Sequence, residues 1–174
     1  NKYCVPHDGD GWYGDHVTSA EVKVHREQLV RELREKMFKD SWVGHAWKLE
    51  YGLDKSYHYH MLILLDGEKV CQDVAIAQII GEHWEDKITD GKGLSWNCNA
   101  MKHKYRDCGI GMIHYGNKVL RQGLVQATTY LTKPEYYIRF NVPDGHIFGK
   151  GIKPKLEAVK RGRPRKLIGS DPII

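Results

Sequence analysis

Among the ten histidines of this chain, two form the triplet His58-Tyr59-His60 at the head of an apolar run. A strand alternates its faces, so His58 and His60 point to one side and can converge on one ion. On its own such a pair also arises by chance in a chain this rich in histidine. The preceding residues add weight, because 42–51 and 57–65 read as the two arms of a hairpin around Gly52-Leu53-Asp54-Lys55-Ser56. If that loop pairs Tyr51 with Tyr57, Glu50 lies opposite His58 on the same face, with Cβ atoms about 5 Å apart. Glu50, His58 and His60 then form a ligand set of two imidazoles and one carboxylate. Such a set leaves coordination positions open, as a catalytic ion needs and a closed structural zinc site does not. Gly44 and Ala46 share that face. His45, Trp47, Leu49 and Tyr51 fall on the other, so His45 is read as a core or surface histidine rather than a ligand. A slip of one residue in the register would undo the set.

The second chemically suggestive group is Tyr130-Leu131-Thr132-Lys133, at the end of a helical segment. Tyrosine and lysine three residues apart share a helix face, so a phenolic nucleophile and a cation can meet one phosphate. The spacing alone is common in amphipathic helix ends. The four cysteines, Cys4, Cys71, Cys98 and Cys108, contain no Cys-x-x-Cys pair. They argue against a zinc ribbon or a disulfide scaffold and are read as reduced thiols.

These residues need elements to hold them. Residues 1–17, rich in Gly and Asp, read as an irregular N-terminal segment. Thr18 or Ser19 caps a helix reaching about residue 39, with Val22, Val24, Leu29, Val30, Leu33 and Met37 largely on one face. The hairpin follows, then a second helix over 72–84 with Val74, Ala75, Ile76, Ile79 and Ile80 as its apolar stripe. A long excursion spans 88–109, a short strand 110–115, and a third helix 118–133 with Leu120, Leu124, Ala127 and Leu131 inward, closed by Pro134. Residues 136–140 read as a further strand. Helices mixed with a hairpin and separate strands give an α+β domain over 18–149, built on an antiparallel sheet with helices packed on it.

Hydrophobic and charged fractions of 41% and 28% are those of an ordinary soluble protein, and no stretch approaches the roughly 18 apolar residues of a membrane span. No basic start followed by an apolar run opens the chain, so the cytoplasm is the expected compartment. The net charge of +5 is local: residues 150–174 carry eight basic groups against Glu157 and Asp171, while the other 149 residues are nearly balanced. This basic C-terminal arm is either a solvated tail or a nucleic-acid-binding element.

A His-hydrophobic-His strand followed some 70 residues later by a helical Tyr-x-x-Lys resembles the HUH replication endonucleases. The texture is most similar to the inovirus-type replication proteins and the prophage YagK/YfjJ C-terminal domain family. The likeness is carried by Trp47-Lys48-Leu49-Glu50-Tyr51-Gly52, His58-Tyr59-His60 with the run from Leu62 to Gly67, Asn97-Cys98-Asn99, Gly109-Ile110-Gly111 and Tyr130-Leu131-Thr132-Lys133, over roughly residues 20–150. It implies a ferredoxin- or RRM-like HUH endonuclease architecture. It also implies a divalent ion, Mg²⁺ or Mn²⁺, on His58, His60 and Glu50, with Tyr130 as nucleophile and Lys133 as its helix-face cation. The implied activity is nicking of single-stranded or extruded origin DNA through a 5′-phosphotyrosine link. That reaction would initiate rolling-circle replication of a phage, prophage or plasmid, with host replication machinery as partner. Some relatives use two tyrosines; here Tyr136 and Tyr137 lie beyond Pro134, outside that spacing. A relaxase or transposase would share the chemistry, and a non-catalytic DNA-binding regulator would keep only the fold and the arm. Within the arm, Arg161-Gly162-Arg163-Pro164-Arg165 resembles an AT-hook core. Lys160, Arg161, Arg163, Arg165 and Lys166 are therefore the candidate DNA contacts, either in a narrow minor groove or as a loose electrostatic strip.

Because the arm holds nearly all the excess positive charge, deleting residues 150–174 should weaken DNA binding broadly and flatten its salt dependence. Measured slopes of log affinity against log salt that coincide with and without the arm would rule it out as a phosphate-binding element.

Overall fold

The computed structural model describes residues 2–3, 17–52, 56–133 and 145–152. The protein is α+β, with an antiparallel sheet and helices packed on it. The elements are β1 (Lys2–Tyr3), α1 (Ser19–Glu32), β2 (Trp42–Gly52), β3 (Ser56–Leu65), α2 (Asp73–His83), β4 (Gly93–Leu94), α3 (Lys118–Leu131) and β5 (Phe148–Lys150). The sheet order is β4-β1-β3-β2-β5, so the histidine strand β3 is central.

The long hairpin of β2 and β3 organises the sheet. Tyr51 pairs with Tyr57 and Glu50 with His58, the register expected from the loop. With that register Trp47, Leu49, Tyr57 and Tyr59 all face the core, where they meet Val22, Leu29 and Leu33 of α1 and Trp84 and Ile88 just beyond α2. Fully burying each large apolar side chain contributes about 1.5–3 kcal/mol. Helix α1 begins where Thr18 caps it, its side chain accepting from the Glu21 amide at 3.2 Å. A wider π-type turn over Leu33–Met37 then extends it toward the expected end. Its buried stripe is Val22, Arg26, Leu29 and Leu33. Val24, expected inward, is exposed. Arg26 takes the inward place because its guanidinium lies 4.0 Å over the Trp47 ring, where a delocalised cation is accommodated by an aromatic face.

Several other expectations differ from the structure. Lys2–Tyr3, within the segment expected to be irregular, form β1, which pairs with β3 and β4. Val74 and Ile79 of α2 are exposed, since that helix packs mainly through Gly81 and the residues beyond its end. Residues 110–115 form no strand. Just before them, Gly109 and Gly123 of α3 meet with so little space that a Cβ on either would overlap the other segment's backbone, while Gly111 lies beside Asp73 and Lys102. Helix α3 ends at Leu131, leaving Lys133 just past it. Lys150, expected in the arm, pairs with Ala46 in β5 and belongs to the sheet. The strand expected over 136–140, Pro134, and the arm from residue 153 onward lie outside the described residues. Cys71, Cys98 and Cys108 are free thiols. No helix among the described residues is long and apolar enough to cross a membrane.

Replacing a helix-interior glycine by alanine ordinarily stabilises by about 1 kcal/mol. At Gly123 the added methyl would overlap the Cys108 carbonyl oxygen, so Gly123→Ala should instead destabilise by about 1–3 kcal/mol in urea or thermal unfolding. A stabilised variant would mean that α3 does not cross the 108–110 segment this closely.

Candidate metal centre

The hairpin has two faces with different chemistry. The odd-numbered positions of β2 and β3 supply the core, and the even-numbered positions Lys48, Glu50, His58 and His60 form a polar group on the opposite side. Glu50 Oε2 stands 3.1 Å from His58 Nε2 and 3.0 Å from His60 Nε2. One ligand atom from each of the three residues lies within 4.8 Å of the others, and this is the metal-capable group found among the described residues. Donor atoms on a common ion at about 2.0–2.2 Å are separated by about 3.0–3.5 Å, so the three side chains need little movement to share one.

The protons support that fit. His58 Nδ1 lies 3.3 Å from the Ser56 carbonyl oxygen, while its Nε2 faces Glu50. A neutral imidazole has one N–H and can serve only one of these two acceptors. With Nδ1–H donating to Ser56, the Nε2 lone pair meets a carboxylate oxygen, and a cation between them satisfies both. The Ser56 carbonyl also fixes the ring orientation, the usual outer-shell support of a metal-bound histidine. Ser56 reaches this position through a left-handed φ of 51° at the hairpin turn.

The electrostatics favour a carboxylate beside neutral imidazole. Burial raises the Glu50 carboxyl, but the Lys48 ammonium that donates to it and the nearby His60 outweigh burial and hold it below its ordinary value. Burial lowers His60, against the opposing pull of Glu50, so the ring is held below the usual imidazole value. Above that value the ring offers a lone pair to an ion.

Lys48 was not among the residues singled out by sequence. It pairs across the hairpin with His60, is 3% exposed, and donates from Nζ to Glu50 Oε1 at 2.5 Å. Its place two residues before Glu50 is the signal that identifies it, since the two must share a strand face.

The other half of the site arrives on α3. The Tyr130 ring packs edge-on to His60 with centroids 5.4 Å apart. The ammonium groups of Lys48 and Lys133 lie 5.2 and 5.4 Å from the Tyr130 ring centroid. Tyr130 is 43% exposed, so part of its side chain meets solvent. Residues some 70 positions apart in sequence are thus brought into one constellation: Lys48, Glu50, His58 and His60 from the hairpin, Tyr130 and Lys133 from the end of α3. His45 faces away, half-buried against Trp42, its Nδ1 without a hydrogen-bond partner among the described residues. Burial, with Arg34 and Arg26 nearby, lowers its pKa. Tyr136, Tyr137, Lys160, Arg161, Arg163, Arg165 and Lys166 lie outside the described residues.

The triad should bind one divalent ion. Loss of an outer-shell partner typically costs 10–100-fold in affinity, so removing two ligands in His58→Ala, His60→Ala should weaken Mn²⁺ binding by at least about 100-fold in calorimetric titration, and Glu50→Ala by less. Unchanged affinity in the double variant would show that the ion binds elsewhere.

Comparison with family models, curated proteins and solved structures finds no match for this chain, so the function is read from the geometry of the site.

Proposed function

We propose that the chain is a metal-dependent single-strand DNA endonuclease of the HUH type, a nickase and strand transferase that initiates rolling-circle replication. The observation that carries this reading is the packing of Tyr130 against His60, which joins a phenol to the candidate metal ligands on one sheet face. A central strand bearing both histidines in an antiparallel sheet is what an HUH architecture requires.

Glu50, His58 and His60 would hold Mg²⁺ or Mn²⁺; bound there, the ion would supply Lewis-acid stabilisation to the non-bridging phosphate oxygens. The chain's own groups do the rest. The Tyr130 oxygen attacks phosphorus in line, forming the phenolic O–P bond as the P–O3′ bond breaks. The phenolic proton is released to solvent, and the departing 3′ oxygen takes one up as a hydroxyl. Lys133 neutralises charge on the attacked phosphate. An unperturbed phenol has a pKa of about 10 and is a poor nucleophile at neutral pH, so cations at the ring are the type of environment this step needs. The 5′-phosphotyrosine link conserves the phosphodiester energy for rejoining. Single-stranded or extruded origin DNA is the substrate, with the basic arm adding sequence-tolerant affinity.

Tyr130→Phe removes one oxygen and keeps the ring against His60. Labelled oligonucleotide cut with Mn²⁺ should yield a protein–DNA adduct that survives a denaturing gel for the wild type and none for Tyr130→Phe. An adduct that persists in this variant and disappears when Tyr136 or Tyr137 is changed would move the nucleophile beyond Pro134. Cutting without any adduct would make the enzyme a hydrolase.

A further inference from the structure

Lys48 is a buried cation beside three candidate ligands for another cation, an arrangement that opposes ion binding unless it does something else. The two oxygens of Glu50 are differently engaged. Oε1 accepts from Lys48 Nζ at 2.5 Å, while Oε2 faces both imidazoles at 3.0 and 3.1 Å. Lys48 and Glu50 are fixed relative to one another by their i, i+2 places on β2, with Leu49 buried in the core between them. Lys48 is also held across the strand pair from His60. Carboxylates bind divalent ions through one oxygen or two, and an oxygen already committed to an ammonium is a poor ligand.

We propose that Lys48 is a positioning residue that restricts Glu50 to one-oxygen coordination and weakens the ion's binding while leaving an additional coordination position open to water. The inference rests on the metal reading of the triad. It does not require the DNA-cleaving one. Lys133, past the end of α3, is a second cation at the Tyr130 ring, 5.4 Å from its centroid. Removing the Lys48 ammonium should release Oε1 and remove a repulsion felt by the ion. A Lys48 that merely supported the fold would do the opposite when replaced, loosening Glu50 and lowering affinity.

The test titrates the full chain with Mn²⁺ by calorimetry and by the free-ion electron paramagnetic resonance signal, with circular dichroism to verify the fold. Lys48→Met keeps the length and apolar stem; Lys48→Gln is its companion should the methionine variant not fold; Lys48→Arg keeps the charge. Coulombic repulsion at this range predicts at least about tenfold tighter Mn²⁺ binding for the neutral variants, and affinity within about threefold of wild type for Lys48→Arg. Oxygen-17 water broadening should count one fewer water on the bound Mn²⁺ in Lys48→Met. Equal or weaker binding in both neutral variants would overturn the proposal, as would tightening in Lys48→Arg. If His58→Ala, His60→Ala binds Mn²⁺ as wild type does, the ion is not on the triad and the metal reading falls with it. Loss in that variant without tightening at Lys48→Met would leave the triad standing and remove only the role of Lys48.

Discussion

The pairing of Tyr51 with Tyr57 is the constraint on which the rest of the site depends. Because side chains alternate along a strand, this one register decides two things together. It places Trp47, Leu49, Tyr57 and Tyr59 inward against α1, and it places Glu50 opposite His58 on the far face. A slip by one residue would turn one arm over against the other, sending either Lys48 and Glu50 or the two imidazoles into the apolar layer. The desolvation of those groups is thus the penalty that guards the register, and the aromatic core is its reward. Chemistry and folding are specified by the same hydrogen-bond ladder.

The pairing of Lys48 with Glu50 helps make their burial tolerable. An ion pair out of water is costly, and it is retained when its remaining lone pairs find donors. Glu50 does so through Lys48 on Oε1, while Oε2 faces the imidazole nitrogens with which it would share an ion. Arg26 solves the same problem on the opposite side of the sheet with an aromatic face and a bond to Glu27 at 2.8 Å. The hairpin is therefore lined by a buried cation on each face, one stacked on Trp47 and one bonded to Glu50.

Much of this was legible in the sequence where a local rule acts alone. The Thr18 cap, the hairpin and its register, and the convergence of Glu50, His58 and His60 follow from capping chemistry, loop length and strand alternation. What was not legible depends on partners distant in the chain. Arg26 takes an inward position because Trp47 lies beneath it, and Val24, apolar but on the wrong side of the helix, is left exposed. Strand β5 is three residues with two apolar or small side chains, too short to carry a period, and Gly149 is needed there because a Cβ would overlap the Trp47 ring. Residues 110–115 look like a strand by composition, yet the Gly109–Gly123 crossing commits the segment's start to α3 instead. Lys48 shared the parity that revealed Glu50, but a lysine ordinarily reads as solvated, and the Tyr130 ring 5.2 Å from its ammonium is a partner distant in the chain.

The two halves of the constellation are held by different kinds of force. The hairpin residues sit in a continuous backbone ladder in the middle of the sheet, with core side chains directly beneath. Helix α3 has Gly123 and Leu131 buried along its length, and among the described residues it meets the rest of the fold at one glycine crossing and where its last turn reaches the hairpin. Segments with few buried apolar contacts open at lower free energy than the sheet they rest on. The ligand set is thereby the stiff part and the tyrosine the more readily displaced part. That order suits the proposed reaction, in which the strand residues would hold the phosphate still and the tyrosine that would form and later break the covalent link is carried on the helix.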